Sequence, residues 1–247
     1  MRRTGLRPVA LSSVGAALAL VTGTAFGQEL SPPAVFPMAV GNTWVYTGTI
    51  RWTPANSNEV FEKEVEWTME TVDVIERRGL RAAVLEGHPS DLAWYEEDRQ
   101  RRRHLVVAIG EGQTEQLYLL SEQRAGEVEK RLRDSGDSLI DLLNDYELFL
   151  DLPLSHLERF CDLHSRTRQD YLYCWLVESV QALDGLDVQG VDPDVARTQY
   201  RVSHRTLPDH RIIEYVSGVG ITSYIYGHHG TVSDVDVRLT EAKLEAR

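Results

Sequence analysis

The sequence predicts an all-β protein with a short helical insertion: one curved antiparallel sheet or half-barrel of about ten strands. Three observations carry that expectation. Aromatic and β-branched residues alternate with polar ones in many short stretches, and turn residues punctuate those stretches at roughly ten-residue intervals. Only residues 121–150 are rich in helix formers.

The first strand is "TWVYTGTIRW", residues 43–52, with Trp44, Tyr46, Ile50 and Trp52 on one parity and Thr43, Val45, Thr47, Thr49 and Arg51 on the other. Side chains alternate across a strand, so this pattern gives it one aromatic face. Pro37 and Gly41 shape the approach, and Asn42 lies in the turn. In "VFEKEVEWTMETVDVIE", 60–76, Phe61, Val65, Trp67, Met69 and Ile75 occupy odd positions against Glu62, Glu64, Glu66 and Glu70. A helical stripe is also readable there, but the density of Val, Thr and Trp favours a strand. "TPANSN" between the two runs supplies turn chemistry for a hairpin.

Further strands are expected at 80–86, 92–97, 104–109 and 115–120, separated by "ERRG", "GHPSD" and "GEGQ". Residues 121–150 then read as one or two short helices or an irregular excursion, with Leu139, Leu142, Leu143 and Tyr146 as an apolar stripe and a break at Ser135–Asp137. Strands resume at 170–180, 197–206, 210–216, 220–228 and 233–242, and "LPD" at 207–209 closes a hairpin. The segment "ALDGLDVQGVDPD" reads as a polar surface connection.

The first 27 residues have the three parts of a secretory signal peptide: Arg2, Arg3 and Arg7, an apolar centre from Val9 to Val21, and small residues at Ala25 and Gly27. The apolar run is short for a membrane span of about 20 residues, so cleavage and export to the periplasm or beyond are expected, with no transmembrane anchor afterwards. Removing 27 of the 247 residues leaves 220 for a single β-rich domain. The net charge is −12, and loss of the three leader arginines takes it to −15. A chain this acidic is repelled by phosphate backbones, which argues against nucleic acid as a partner. The basic run "RQRRRH", 99–104, follows "YEEDR" and reads as a solvated turn or strand.

Cys161 and Cys174 are the two cysteines. In an oxidising compartment they read first as a disulfide, closing a loop of about 14 residues worth roughly 3 kcal/mol. A metal site would need His164 as a third ligand, and nothing nearby completes a tetrahedral set. No metal or cofactor is expected.

Three stretches together resemble a broad group of bacterial exported β proteins and lipoproteins. They are "VFPMAVGNTWVY" (35–46), "FLDLPLSHLERFC" (149–161) and "YVSGVGITSYIY" (215–226). Members open with an F-P-L-x-V-G-N-x-W-x-Y segment and close with P-G-V-G-L-V before a last strand. The middle stretch keeps only "LPL" of the group's pattern. The resemblance implies a half-barrel similar in outline to lipoprotein carriers, whose concave face holds acyl chains, and it brings no catalytic residues with it.

Catalytic chemistry has little support in the residues. His228 and His229 are adjacent and point to opposite faces of a strand. His204 and His210 flank a hairpin, and Asp234 and Asp236 read as the solvent side of an ordinary edge strand. No GxSxG, HExxH, P-loop or dinucleotide fingerprint is present. Ser121, Ser155 and Ser203 lack an activating neighbour, and only a cavity where serine, histidine and carboxylate converge would point to a hydrolase. The aromatic inventory is more informative. Trp44, Tyr46, Trp52, Trp67, Trp94, Trp175, Tyr215, Tyr224 and Tyr226 fall in expected strands. They form either a filled core or the wall of a cavity for a hydrophobic small molecule or lipid. A binding or carrier module is therefore the expected function. Recruitment of an envelope protein through exposed strand edges is the alternative.

Overall fold

The computed structural model describes residues 36–54, 56–77, 79–111, 114–134, 147–161, 165–195 and 197–245. The leader, the stripe from Leu139 to Tyr146, the break at Ser135–Asp137 and His164 lie outside them. Twelve strands form one antiparallel sheet: β1 (Thr43–Trp52), β2 (Phe61–Arg77), β3 (Leu80–Glu86), β4 (Arg103–Glu111), β5 (Thr114–Leu120), β6 (Glu147–Asp151), β7 (Arg159–Cys161), β8 (Cys174–Leu183), β9 (Arg197–Arg205), β10 (Asp209–Val216), β11 (Gly220–His228) and β12 (Ser233–Lys243). One helix, α1 (Glu122–Arg133), interrupts them.

The strand order is β6-β5-β4-β3-β2-β1-β12-β11-β10-β9-β8-β7, so sequence neighbours pair everywhere but between β6 and β7, and β1 pairs with β12. Only β6 and β7, adjacent in the chain, are not hydrogen-bonded to each other; they come into contact across that seam. The result is an up-and-down barrel closed by hydrogen bonds everywhere else, which leaves just two short edges.

Side-chain alternation fills the interior. Trp44, Tyr46, Ile50 and Trp52 of β1 face inward with Val235, Val237 and Leu239 of β12 and Ile213, Tyr215 and Tyr224 from the strands beyond. The opening motif and the "VSGVG" segment meet in this core. The Trp44 indole N–H donates to the Val219 carbonyl at 2.7 Å, the Tyr46 hydroxyl donates to the Ile221 carbonyl at 3.0 Å, and Phe36 stacks on Tyr215. Gly220, at φ +105, holds a left-handed backbone that L side chains rarely adopt, directly beside the Trp44 ring.

The outer face carries a smaller core. Ala125, Val128 and Leu132 recur at helical spacing along α1 and pack on Ala82, Val84, Leu105 and Val107. A β-bulge makes this possible. Thr71 pairs with Leu85 while Asp73 pairs with Val84, leaving Val72 as an extra residue. Parity flips there, so Trp67 and Met69 face the barrel interior but Ile75 faces the helix.

The expected curved antiparallel sheet of about ten strands is found; among the described residues it has twelve, since the five-residue β6 and three-residue β7 have too little sequence to show periodicity. Other expectations are corrected. Residues 92–97 are not a strand. Pro89 starts a 3-10 turn (Pro89–Leu92), and Trp94 and Asp98 then take left-handed backbone at φ 57° and 59°. The strand carrying Asp234 and Asp236 is no edge, because β12 lies between β1 and β11. The connection after β8 is not wholly superficial either: Val188 and Val191 are buried, and Gln189 exchanges backbone hydrogen bonds with β12 at Thr240 and Ala242.

Candidate functional site

The nine aromatic residues singled out above separate by depth. Trp44, Tyr46, Tyr215, Tyr224 and Trp175 are fully enclosed, and Tyr226 is buried close to the Asp209–His228 pair. Burial pushes the Tyr46 and Tyr224 phenols upward, as expected for hydroxyls with little access to water. Trp67 turns its indole N–H to the Gly87 carbonyl at 2.8 Å. These side chains pack the barrel. Trp52 and Trp94 differ: Trp52 closes the inward row of β1, and Trp94, carried by the loop after the 3-10 turn, is 50% exposed.

Those two residues meet Phe61 and Tyr95 at one mouth of the barrel. The Trp52 ring centroid lies 5.6 Å from Phe61 and 5.0 Å from Tyr95, the latter edge-on. Phe61, the inward-facing partner of Trp52 on β2, is 40% exposed because β2 begins where the barrel wall ends. Together with Glu96, Glu97 and residues 231–233 they line a cleft of about 660 Å³. That volume falls within the roughly 300–1,000 Å³ common for small-molecule sites. The cleft is anchored from behind. The Trp94 backbone N–H donates to Ser233 Oγ at 3.0 Å, Arg99 donates to the Trp94 carbonyl at 2.7 Å, and the Trp94 ring meets His228 edge-on at 4.4 Å. His228 is fixed in turn through Nδ1, 2.8 Å from Asp209 Oδ1, which also accepts from the Tyr226 hydroxyl. Burial alone would raise the Asp209 carboxyl, but the bonds from His228, Tyr226 and Thr206 outweigh it and hold it below its usual range.

A second polar cluster lies deeper. His88 Nδ1 is 2.8 Å from Ser90 Oγ, and His104 Nε2 is 3.5 Å from the same hydroxyl and 3.8 Å from Asp91 Oδ1. Serine, histidine and carboxylate thus converge, but a relay needs the two ring nitrogens of one histidine to face the two partners. Here one nitrogen of His104 faces both, and neither Ser90 nor Asp91 lines the cleft. Arg211 occupies the barrel between the strands: it donates to Glu147 at 3.2 Å and to His204 Nδ1 at 2.9 Å, and lies over the Trp175 ring at 5.3 Å. Its charge is balanced inside the fold, as a largely enclosed guanidinium requires.

Cys161 and Cys174 form the expected disulfide, opposite each other in the β7–β8 pair. Both thiolates are therefore unavailable to a metal. His204 and His210 do not come together: His204 is held by Arg211 beside Trp175, while its register partner across the hairpin is Arg211, not His210.

No protein-family model and no curated protein matches the sequence. Two solved structures resemble the fold. One is a protein described as exported, with a YmcC-like fold, from Bacteroides fragilis, at 10% identity and a TM-score of 0.40 over 85% of this chain and 99% of that one. The other is a protein described as a lipoprotein from Parabacteroides distasonis, at 9% identity and a TM-score of 0.36 over 86% and 99%.

Phe61, Tyr95, Glu96 and Glu97 line the cleft but are not among the nine aromatic candidates. Phe61 was visible in the odd row of its strand. Tyr95 and the two glutamates were hidden because "LAWYEE" alternates like a strand but folds as a loop.

Proposed function

We propose that this chain is an exported binding module that takes an amphipathic ligand, an acyl or alkyl chain bearing a polar head, in the aromatic cleft at the barrel mouth. The observation that carries the reading is the half-exposed Trp94 standing with Phe61 over Trp52 and Tyr95 around about 660 Å³ of space. Large aromatic rings left partly in water around a cavity mark ligand or partner surfaces. The filled barrel interior supports a site at the mouth rather than on the concave face. Export is supported by the leader and by the cross-strand disulfide, a bond that persists in oxidising compartments. The two sheet edges, β6 and β7, are five and three residues long and face each other, which disfavours strand addition by a partner.

Calorimetric titration with a neutral single-chain detergent, dodecyl maltoside below its micelle concentration, tests the proposal. One saturable site is expected, with affinity weakened roughly tenfold or more in Trp94→Ala and Phe61→Ser. Both residues are exposed enough for the variants to fold, which thermal melting would verify. Absence of saturable binding by the intact chain, or unchanged affinity in both variants, overturns the assignment.

A further inference from the structure

The cleft has a charge preference built into it. Its walls are the four rings of Trp52, Phe61, Trp94 and Tyr95, and among the described residues the only charged ones lining it are Glu96 and Glu97. Both glutamates are exposed, and neither carboxylate is in an ion pair or hydrogen bond with another described residue. Aromatic faces carry the negative part of the ring quadrupole and attract cations, most strongly over tryptophan. Rings and carboxylates therefore act in the same direction.

The neighbouring cations do not reverse that sign. Arg99 is turned onto the Trp94 carbonyl, and Lys63 donates to the Tyr95 hydroxyl at 3.3 Å; neither lines the cleft. The Lys63 ammonium sits 5.7 Å from the centroid of the Tyr95 ring, off its hydroxyl end, and leaves the ring face free. Its hydrogen bond to Tyr95, followed by the nearby Glu97 and Asp98, raises the Lys63 ammonium above its usual range. A carboxylate or sulfate head would meet two unpaired glutamates and the faces of four rings.

We propose that the cleft selects amphiphiles with a quaternary-ammonium or similarly diffuse cationic head over neutral and anionic ones of equal chain length. This rests on the amphiphile-binding reading above and adds the head-group chemistry to it. A weakly hydrated quaternary ammonium suits the site better than a compact primary amine, because it loses little solvation against aromatic walls while keeping its attraction to Glu96 and Glu97.

The test is calorimetry on the full chain at low salt with dodecyltrimethylammonium, dodecyl maltoside and dodecyl sulfate, each below its micelle concentration, and with tetramethylammonium alone. The trimethylammonium amphiphile should bind roughly tenfold tighter than the maltoside, and the sulfate weaker than both. In the Glu96→Gln/Glu97→Gln double variant the ratio of cationic to neutral affinity should fall to about twofold. Removing two distant exposed charges, Glu127→Gln and Glu241→Gln, should leave the ratio as it was, which separates the cleft from the general acidity of the chain. Sulfate binding as tight as trimethylammonium, or full discrimination surviving in the Glu96/Glu97 variant, overturns the inference. Tetramethylammonium binding as tightly as its dodecyl derivative overturns it too, since the chain would then contribute nothing. If the maltoside binds and the head makes no difference, only this inference fails. If none of the three amphiphiles binds, the amphiphile reading itself fails.

Discussion

At the scale of single residues, two side chains of the opening motif tie it to a segment some 175 positions away. Trp44 gives a buried hydrogen bond to Val219 in the turn that joins β10 to β11, and Tyr46 gives one to Ile221 at the start of β11. Both are fully buried, so truncation removes packing and also leaves a carbonyl without a donor. Trp44→Ala is expected to lower stability by about 3–5 kcal/mol. Tyr46→Phe, which keeps the ring and deletes only the hydroxyl, should cost about 1–2 kcal/mol. Urea denaturation of the two variants measures both; a Trp44→Ala protein with an unchanged midpoint would contradict the core assignment. The inward aromatic row of β1 was legible because period two is unambiguous over ten residues with large side chains. Its contact partners were not, since pairing across the barrel depends on topology that no local pattern encodes.

At the scale of elements, the barrel is held at its seam by a three-residue strand, and the disulfide compensates for that brevity. Cys161 and Cys174 are cross-strand partners, so the bond clips β7 to β8 where only three register pairs exist. Replacing both cysteines by serine should lower stability by roughly 3 kcal/mol, the loop-closure value for about 14 residues. Hydrogen exchange should show the loss concentrated at residues 159–161 and 174–176; a uniform loss across the sheet would mean the clip acts on the whole fold instead. The cysteine pairing was readable from spacing and compartment. β6 and β7 were not, because five and three residues carry too few alternations to separate strand from loop. The bulge at Val72 was missed for a related reason. An inserted residue preserves composition while inverting parity, so Ile75 looked like a continuation of the Trp67 row although it serves the helix-covered face. The cleft suffered most from local reading, since half of its aromatic wall sits on a loop whose sequence imitates a strand.

At the scale of the whole molecule, a β-barrel filled with apolar side chains also encloses imidazoles, and that sets its response to acid. His88 is fully buried, with Ser90 and the Asp91–His104 pair beside it and Arg211 further off. Burial, reinforced by His104 and Arg211, holds its imidazole well below the usual value, so the folded protein keeps it neutral. The unfolded chain takes that proton near pH 6.5. Below that pH the unfolded state binds more protons than the folded one, and stability falls as pH falls, by up to about 1.4 kcal/mol per unit from this group. His210 is shifted in the same direction, chiefly by burial, and adds to the slope. Asp91 is raised by burial and acts in the opposite sense, so it offsets part of the slope from the imidazoles. Urea midpoints measured between about pH 6.5 and 5 should fall with acidification, and His88→Gln should flatten the slope whatever it does to the midpoint at neutral pH. An unaltered slope in that variant would place the acid response in groups other than His88.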